Sequence, residues 1–383
     1  MRLLIAPDSF AGTLTAVAAA DAIATGWLSV SPNDQVTVRP MSDGGPGFVE
    51  VVATALGAEL IDTSVTGPLG DEVPATIALH QGTAYIEAAQ ACGLALVPPS
   101  KRDPEETTSY GVGELLRAAI RAGATTVVVG LGGTATNDCG AGMLAALGAT
   151  ADGSLASGPR RFPRLRRVDV APAVATVSGI RLVVATDVDN PLLGLRGASR
   201  SYAPQKGADD AQVMRLESSL EHFCELVDHR TANGKNPALA AGAGAAGGLG
   251  YALLMLGAER VPGIATVMGI VGVPDLVAQS DLVITGEGTF DWQSLRGKVV
   301  SGIASVATDQ AKPCVVIAGQ ILVGRREYSA MGVAAAYSVS EFAGGAEVSL
   351  ADPVGTLTAA AARVAGTWSA GAARTARERS SGG

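Results

Sequence analysis

The stretch Val127-Val128-Val129-Gly130-Leu131-Gly132-Gly133-Thr134-Ala135-Thr136-Asn137-Asp138-Cys139-Gly140-Ala141-Gly142-Met143 constrains this chain most. Its β-branched start reads as a buried parallel strand. A turn crowded with glycine, threonine, asparagine and aspartate follows, and then an apolar helical segment through Leu147. Strand, glycine-rich loop and helix N-terminus make an arrangement that binds phosphate. Unpaired N–H groups converge there, and glycine lets an anion come close. On this reading Gly132, Gly133, Thr134, Thr136 and Asn137 contact phosphate, and Asp138 is a candidate for a bridging metal. Cys139 falls where a helix dipole favours thiolate. The same string also suits an ordinary strand-to-helix turn that needs glycine for positive φ. The closing Gly-Lys-Ser/Thr of a Walker loop is absent, which excludes a P-loop NTPase.

The same pattern recurs along the chain. A first strand, Met1–Pro7, ends in Asp8-Ser9, and Gln35–Met41 runs into Ser42-Asp43-Gly44-Gly45-Pro46-Gly47. The helical spacing of Thr15–Leu28 between them makes a βαβ unit, and hence a parallel sheet. Arg181–Ala185 delivers Thr186-Asp187-Val188-Asp189, and Leu282–Thr285 delivers Gly286-Glu287-Gly288-Thr289-Phe290-Asp291. Loops at the carboxyl ends of parallel strands are where α/β enzymes place their sites. Strand alternation would point Asp187 and Asp189 to one side. Two lysines of a lysine-poor chain, Lys206 and Lys298, sit in glycine-flanked loops. Carboxylates for a divalent cation, lysines for phosphate oxygens and glycine loops together suit phosphoryl transfer. Each residue also has a structural explanation as a turn, a helix cap or a solvated side chain.

Ala75–His80 and Thr83–Ala88 read as an antiparallel hairpin about Gln81-Gly82. The change of texture there places a domain boundary near residue 65. Residues 151–179 read as a surface segment rich in Gly, Ser, Pro and Arg, with Pro159-Arg160-Arg161 as solvated loop. The run Ala240–Gly250 reads as a tightly packed turn where backbones or a ligand approach closely. The expected architecture is α/β. Residues 1–65 and 283–370 form one parallel-sheet domain, 66–282 an inserted mixed α/β domain, and 371–383 a disordered tail.

With 383 residues, 48% of them hydrophobic, the chain can bury cores for two domains. A net charge of −8 argues against nucleic acid or an anionic membrane surface as partner. No apolar run reaches the length of a membrane span, and the start lacks the pattern of a signal peptide. Cys92, Cys139, Cys224 and Cys314 are scattered without metal or disulfide spacing, as expected for reduced thiols in a cytoplasmic protein. His80, His222 and His229 show no metal spacing. GxSxG and HExxH are absent, and the GxGxxG spacing at Gly242–Gly247 follows no strand run and so is no Rossmann fingerprint, which removes support for a serine hydrolase, a zincin and a dinucleotide oxidoreductase.

Seven segments stand in the order they have in the type I glycerate kinase family. They are Ala6-Pro7-Asp8-Ser9-Phe10, Ser42-Asp43-Gly44-Gly45, Gly132–Asp138, Asp187–Leu192, Pro204-Gln205-Lys206-Gly207-Ala208, Gly242–Gly248 and Leu282–Gly288. The chain resembles that family from residue 1 to about 340. The resemblance implies a flavodoxin-like domain built from both chain ends, an inserted α/β domain and a site in the cleft. It also implies ATP- and Mg²⁺-dependent phosphorylation of D-glycerate, giving 2-phosphoglycerate. The expected partner is therefore a small hydroxy acid, with neither nucleic acid nor membrane involved and a homodimer as the candidate assembly. Beside that implication, the residues assign phosphates to Gly132–Asn137, catalysis to Asp187, Asp189, Lys206 and Lys298, and substrate contacts to Asp8, Ser9, Asp43, Gly44 and Asp291. Asp189 and Glu287 are the metal candidates. Where the family carries Lys, Glu and Arg, this chain has Ala11, Pro46 and Thr289, and Cys139 stands in the glycine loop. These departures leave open a kinase of another small hydroxy acid, or a weak homologue that binds nucleotide or metabolite as a regulator.

Overall fold

The computed structural model describes residues 1–10, 12–227, 236–295 and 297–369. Ala11, His229 and the tail 371–383 lie outside the described residues. In chain order the strands are β1 (Arg2–Ile5), β2 (Gln35–Val38), β3 (Glu59–Thr66), β4 (Glu72–His80), β5 (Thr83–Glu87), β6 (Thr126–Gly130), β7 (Thr150–Ala151), β8 (Val168–Asp169), β9 (Arg181–Ala185), β10 (Glu259–Val261), β11 (Leu282–Phe290), β12 (Cys314–Ile321) and β13 (Val333–Ser338). They divide between two compact units, one made of Met1–Ser42 with the chain from Ile264 onward, the other of Asp43–Gly263.

In the terminal unit the sheet order is β13-β12-β11-β1-β2, and all neighbours run parallel. Counted within the unit this is 2-1-3-4-5, the flavodoxin-like doubly wound order. Leu3, Leu4, Ile5, Val283, Ile284, Val315, Val316 and Ile317 are all buried. Such unbroken apolar runs suit strands covered on both faces. One covering layer pairs the helices Ala16–Val30 and Pro353–Trp368, whose Ala19, Ala20, Ile23, Ala360, Ala361 and Val364 share a core with the sheet. Thr15 caps the first helix by accepting from Ala18 N, and Asp352 caps the second by accepting from Gly355 N. Caps of this kind contribute about 1 kcal/mol each. The strand order reverses between β1 and β11, and ligands bind at the carboxyl ends beside such a reversal.

The Asp43–Gly263 unit has a six-stranded sheet in the order β10-β9-β6-β5-β4-β3. From β10 to β5 it is parallel, whereas β3, β4 and β5 form an antiparallel meander. The division between units falls at residues 42 and 263 rather than near 65 and 282. Two packing facts explain the shift at the first boundary. The helix Phe48–Leu56 faces the second sheet, with Phe48 edge-on to Tyr85 at 6.1 Å between ring centroids, and β3 pairs along its whole length with β4.

The segment 151–179 is also more than a surface loop. Its Phe162 is fully buried and stacks on Phe223 at 5.1 Å, and Leu165, Val170 and Ala173 join the same core. Arg160 pairs with Asp103, Glu105 and Glu106. Among the described residues no helix is long and apolar enough to cross a membrane.

Candidate functional site

In the terminal unit, Asp8 and Ser9 follow β1 directly, and the Asp8 backbone N–H donates to Gly286 O at 2.8 Å. This puts Asp8 beside Glu287 at the reversal of strand order. Glu287 lies within β11 and is 8% exposed. Asp291 follows the same strand directly, and its Oδ1 accepts from Gln293 N at 2.8 Å and Ser294 N at 3.4 Å. That is a turn-capping role within its own loop. Lys298 is the N-cap of the helix Val299–Asp309, which has no side-chain cap and no acidic residue in its first turn. Thr289 is exposed near the end of β11.

In the other unit the loop 43–47 lies on the glycine loop after β6. A Cβ on Gly132 would fall 2.6 Å from Gly45 Cα, and one on Gly133 would fall 2.8 Å from Pro46 Cγ. Two backbones therefore touch where side chains are missing, and Pro46 fills a packing position. Glu87, buried at the end of β5, accepts from Gly47 N at 2.9 Å and so caps the helix Phe48–Leu56 from another element. Burial pushes the Glu87 carboxyl up to about 7, against the pull of backbone N–H donors from Val49, Gly47 and Phe48.

Beyond Gly133 the loop dives inside. Thr134 is 5% exposed, and Thr136, Asn137 and Asp138 are fully buried. Asn137 Nδ2 donates to Ser199 Oγ at 3.1 Å. Asp138 accepts from Ser109 N and Ser109 Oγ at 2.8 Å, from Gly140 N at 3.1 Å and from Gly142 N at 3.3 Å. The next helix, Ala141–Ala146, has only six residues. The expectation that Thr134, Thr136 and Asn137 hold phosphate, or that Asp138 holds a metal, is thus corrected. Their side chains are buried and bond inside the unit, with Asn137 Oδ1 enclosed and without a partner among the described residues, and only Gly132 and Gly133 reach the surface.

The run Ala240–Gly250 packs against this inner segment. Gly247 has φ +67°, and a Cβ there would run into the Thr136 carbonyl and fall 2.7 Å from Asn137 Cα.

Lys206 is corrected in the same way. Its loop forms a short 3-10 turn, Pro204–Lys206, and the side chain turns inward to 3% exposure. Nζ donates to Thr136 O, and to Thr134 Oγ1 at 3.4 Å. Burial pushes the amine down to about 8. Gln-Lys-Gly looks like a solvated turn in sequence because nothing in it shows which way the lysine points.

Cys139 is buried, at φ +59°, in a left-handed conformation unusual for a side-chain-bearing residue. Burial, and then the neighbouring Cys224, push its thiol well above the usual range, so no thiolate is favoured there. Thiol reagents are therefore expected to leave Cys139 unmodified in the folded protein, with or without MgATP. Mass-spectrometric mapping should find it labelled only after denaturation. Rapid native labelling would mean that the loop opens.

Asp187 and Asp189 lie beyond the strand, not on it. β9 ends at Ala185, and Val188 N then bonds Thr186 Oγ1 at 3.3 Å, so strand alternation no longer applies. Asp187 is half-buried beside Gly263, where a Cβ would lie 3.0 Å from its Oδ2 and 2.6 Å from Asp43 O. Asp189 is mostly exposed and pairs with Arg260 of β10. Asp43 Oδ1 accepts from Gly45 N at 3.0 Å, which shapes its own loop. Asp43, Gly44, Gly132, Gly133, Asp187, Asp189 and Arg260 thus gather at the carboxyl ends of β6, β9 and β10. Sequence reasoning missed Arg260, which stands alone in a three-residue strand with no motif around it. Elsewhere on this unit, a cavity of about 450 Å³ includes Arg160 and Arg215 in its wall, but both arginines are paired with Glu105.

The chain matches the glycerate kinase family over residues 3–369 and belongs to it. It is 42% identical over 347 residues to the glycerate 2-kinase of Escherichia coli (strain K12), covering 88% of this chain and 90% of that one. To the glycerate kinase of Haemophilus influenzae it is 43% identical over 326 residues, covering 83% and 86%. A crystal structure of a Salmonella typhimurium LT2 protein, provisionally described as glycerate kinase 2, superposes with a TM-score of 0.78 at 38% identity. It covers 97% of this chain and 99% of that one.

Proposed function

We propose that this protein is a phosphotransferase with an alcohol acceptor, a glycerate kinase that phosphorylates D-glycerate at the 2-hydroxyl with ATP as donor. The observation that carries this reading is the co-linear match to glycerate kinases along almost the whole chain. The arrangement of residues is consistent with it, since carboxylates stand at strand ends in both sheets. In the Asp43–Gly263 unit, Asp187 is the carboxylate we assign to accepting the proton of the attacking hydroxyl. Gly132 and Gly133 offer backbone at which a phosphate can approach. In the terminal unit, Lys298 faces phosphoryl oxygens at a helix start.

Among the described residues no group of three or more His, Cys, Asp or Glu could hold a metal ion. That excludes a protein-built cage of such side chains among them, but it suits Mg²⁺, which takes one or two carboxylates and completes its shell with phosphates and water. Asp8, in the loop after β1, and Glu287, on neighbouring β11, are hard oxygen donors that fit that part. Asp189 does not, because Arg260 already occupies its carboxylate. When bound, Mg²⁺ would neutralise charge on the transferring phosphate.

The test is ADP release with D-glycerate, with product regiochemistry read by NMR. The reading expects 2-phosphoglycerate. ATP binding without turnover on any hydroxy acid would favour a regulator instead.

A further inference from the structure

We propose that Arg260 receives the carboxylate of the hydroxy-acid substrate and so sets the preference of the Asp43–Gly263 unit for an anionic acceptor. This rests on the kinase reading above, and it starts from a charge imbalance. Asp43, Asp187 and Asp189 surround the carboxyl ends of β9 and β10, and an acid arriving among them is repelled unless a cation faces it. Lys206, the cation expected there, is turned inward onto Thr136 O. Arg260 stands at that edge instead. It pairs in register with Val184, one residue before the end of β9, and the chain continues from it to Gly263 against Asp43 and Asp187.

The side chain is held for this task. It crosses the backbone of Gly242, where an added Cβ would lie 2.7 Å from Arg260 Cδ and 2.8 Å from Nε. Gly242 has φ +86°, so both space and backbone conformation call for glycine at that position. One guanidinium nitrogen, Nη2, donates to Asp189 Oδ1, while 26% of the side chain stays open to solvent. Nε is buried and has no acceptor among the described residues. A guanidinium carries five N–H donors suited to planar carboxylates. Here the bond to Asp189 engages a single one of its nitrogens. A buried cationic donor without an acceptor is a cost that folded proteins rarely carry, and an arriving carboxylate can offset it by a small shift of the fork. Asp189 then works as a positioning residue, keeping the guanidinium turned toward the edge. A merely structural exposed pair would contribute little and would leave substrate preference untouched.

The experiment uses the full-length protein and the variants Arg260→Met, which keeps the stem, and Arg260→Lys, which keeps the charge but loses the fork. Arg260→Met is expected to raise KM for D-glycerate at least tenfold, with kcat and KM for ATP within threefold of wild type. The lysine variant should fall between them. Glycerol, which lacks the carboxylate, should be affected by neither variant, so the glycerate-to-glycerol ratio of kcat/KM falls in Arg260→Met. An unchanged KM for D-glycerate overturns the proposal. So does a rise confined to the KM for ATP, which would put the guanidinium on the nucleotide. Should wild type release no ADP with D-glycerate, the kinase reading fails, and calorimetric titration of D-glycerate then judges Arg260 separately. Binding lost in Arg260→Met sustains the proposal. Equal binding in both proteins, or none in wild type, overturns it.

Discussion

Asp138→Ala lowers the stability of the Asp43–Gly263 unit by roughly 4 kcal/mol, a fall in melting temperature of about 8–16 °C for a unit of this size. The carboxylate is buried and accepts from Ser109 N, Ser109 Oγ, Gly140 N and Gly142 N. Truncation strands these donors where water does not reach, and each stranded group costs about 1–3 kcal/mol before relaxation. Ser109 Oγ in turn accepts from Met143 N, so the loss spreads to the next helix. Asp138→Asn keeps one acceptor and should lose about half as much. Thermal or urea unfolding measures both variants. A truncated variant within about 1 kcal/mol of wild type would mean that water enters the loop. The same variants separate a bond hub from a metal ligand, because titrating Mg²⁺ into the turnover assay is expected to give the same curve for Asp138→Asn as for wild type.

Lys206→Ala is expected to cost about 3 kcal/mol, since it removes a buried stem and leaves Thr136 O without its donor. Lys206→Met fills the same space without a charge to desolvate and should cost clearly less. KM values of the methionine variant should stay within about threefold of wild type, because the amine touches the loop from behind. A large rise in KM for ATP with unchanged stability would return Lys206 to the phosphate side. Titration supplies a further check. The folded amine has its affinity for protons lowered to about 8, while the unfolded chain keeps the ordinary 10.5. Between those values the unfolded state binds the extra proton, so this group's contribution to stability rises with pH. Wild type should therefore gain on Lys206→Met as pH climbs from about 8 to about 10.5.

Strand positions and the loops after them were legible because buried parallel strands are written as unbroken β-branched runs, with turn residues at once behind them. Asp8, Asp43 and Asp187 stand in such loops, whereas β11 runs on through Glu287 to Phe290. What the string does not carry is the direction of a side chain. Thr136, Asn137 and Asp138 have the composition of an exposed loop, yet they pair with Lys206, Ser199 and Ser109 from distant segments and so can be buried. Nothing local announces such partners, which lie 62–70 residues away for Ser199 and Lys206. The rule of alternation failed at Asp187 and Asp189 because the strand stops two residues before the first of them. The first domain boundary was set too late because β3 carries polar residues along an edge, a pattern that does not say which sheet it joins.

The meeting of Asp43 and Gly263 has a consequence for how such a chain can be rebuilt. The carbonyl of one lies 2.6 Å from where the other would bear a Cβ, so the two ends of the long middle segment meet at one doorway. No strand of the host sheet is interrupted, since β2 ends before the doorway and β11 begins after it. A gene arranged this way behaves as a cassette. The middle segment can be excised and its stumps joined by a short linker, or exchanged for that of a relative, without unstitching a hydrogen-bonded ladder on either side.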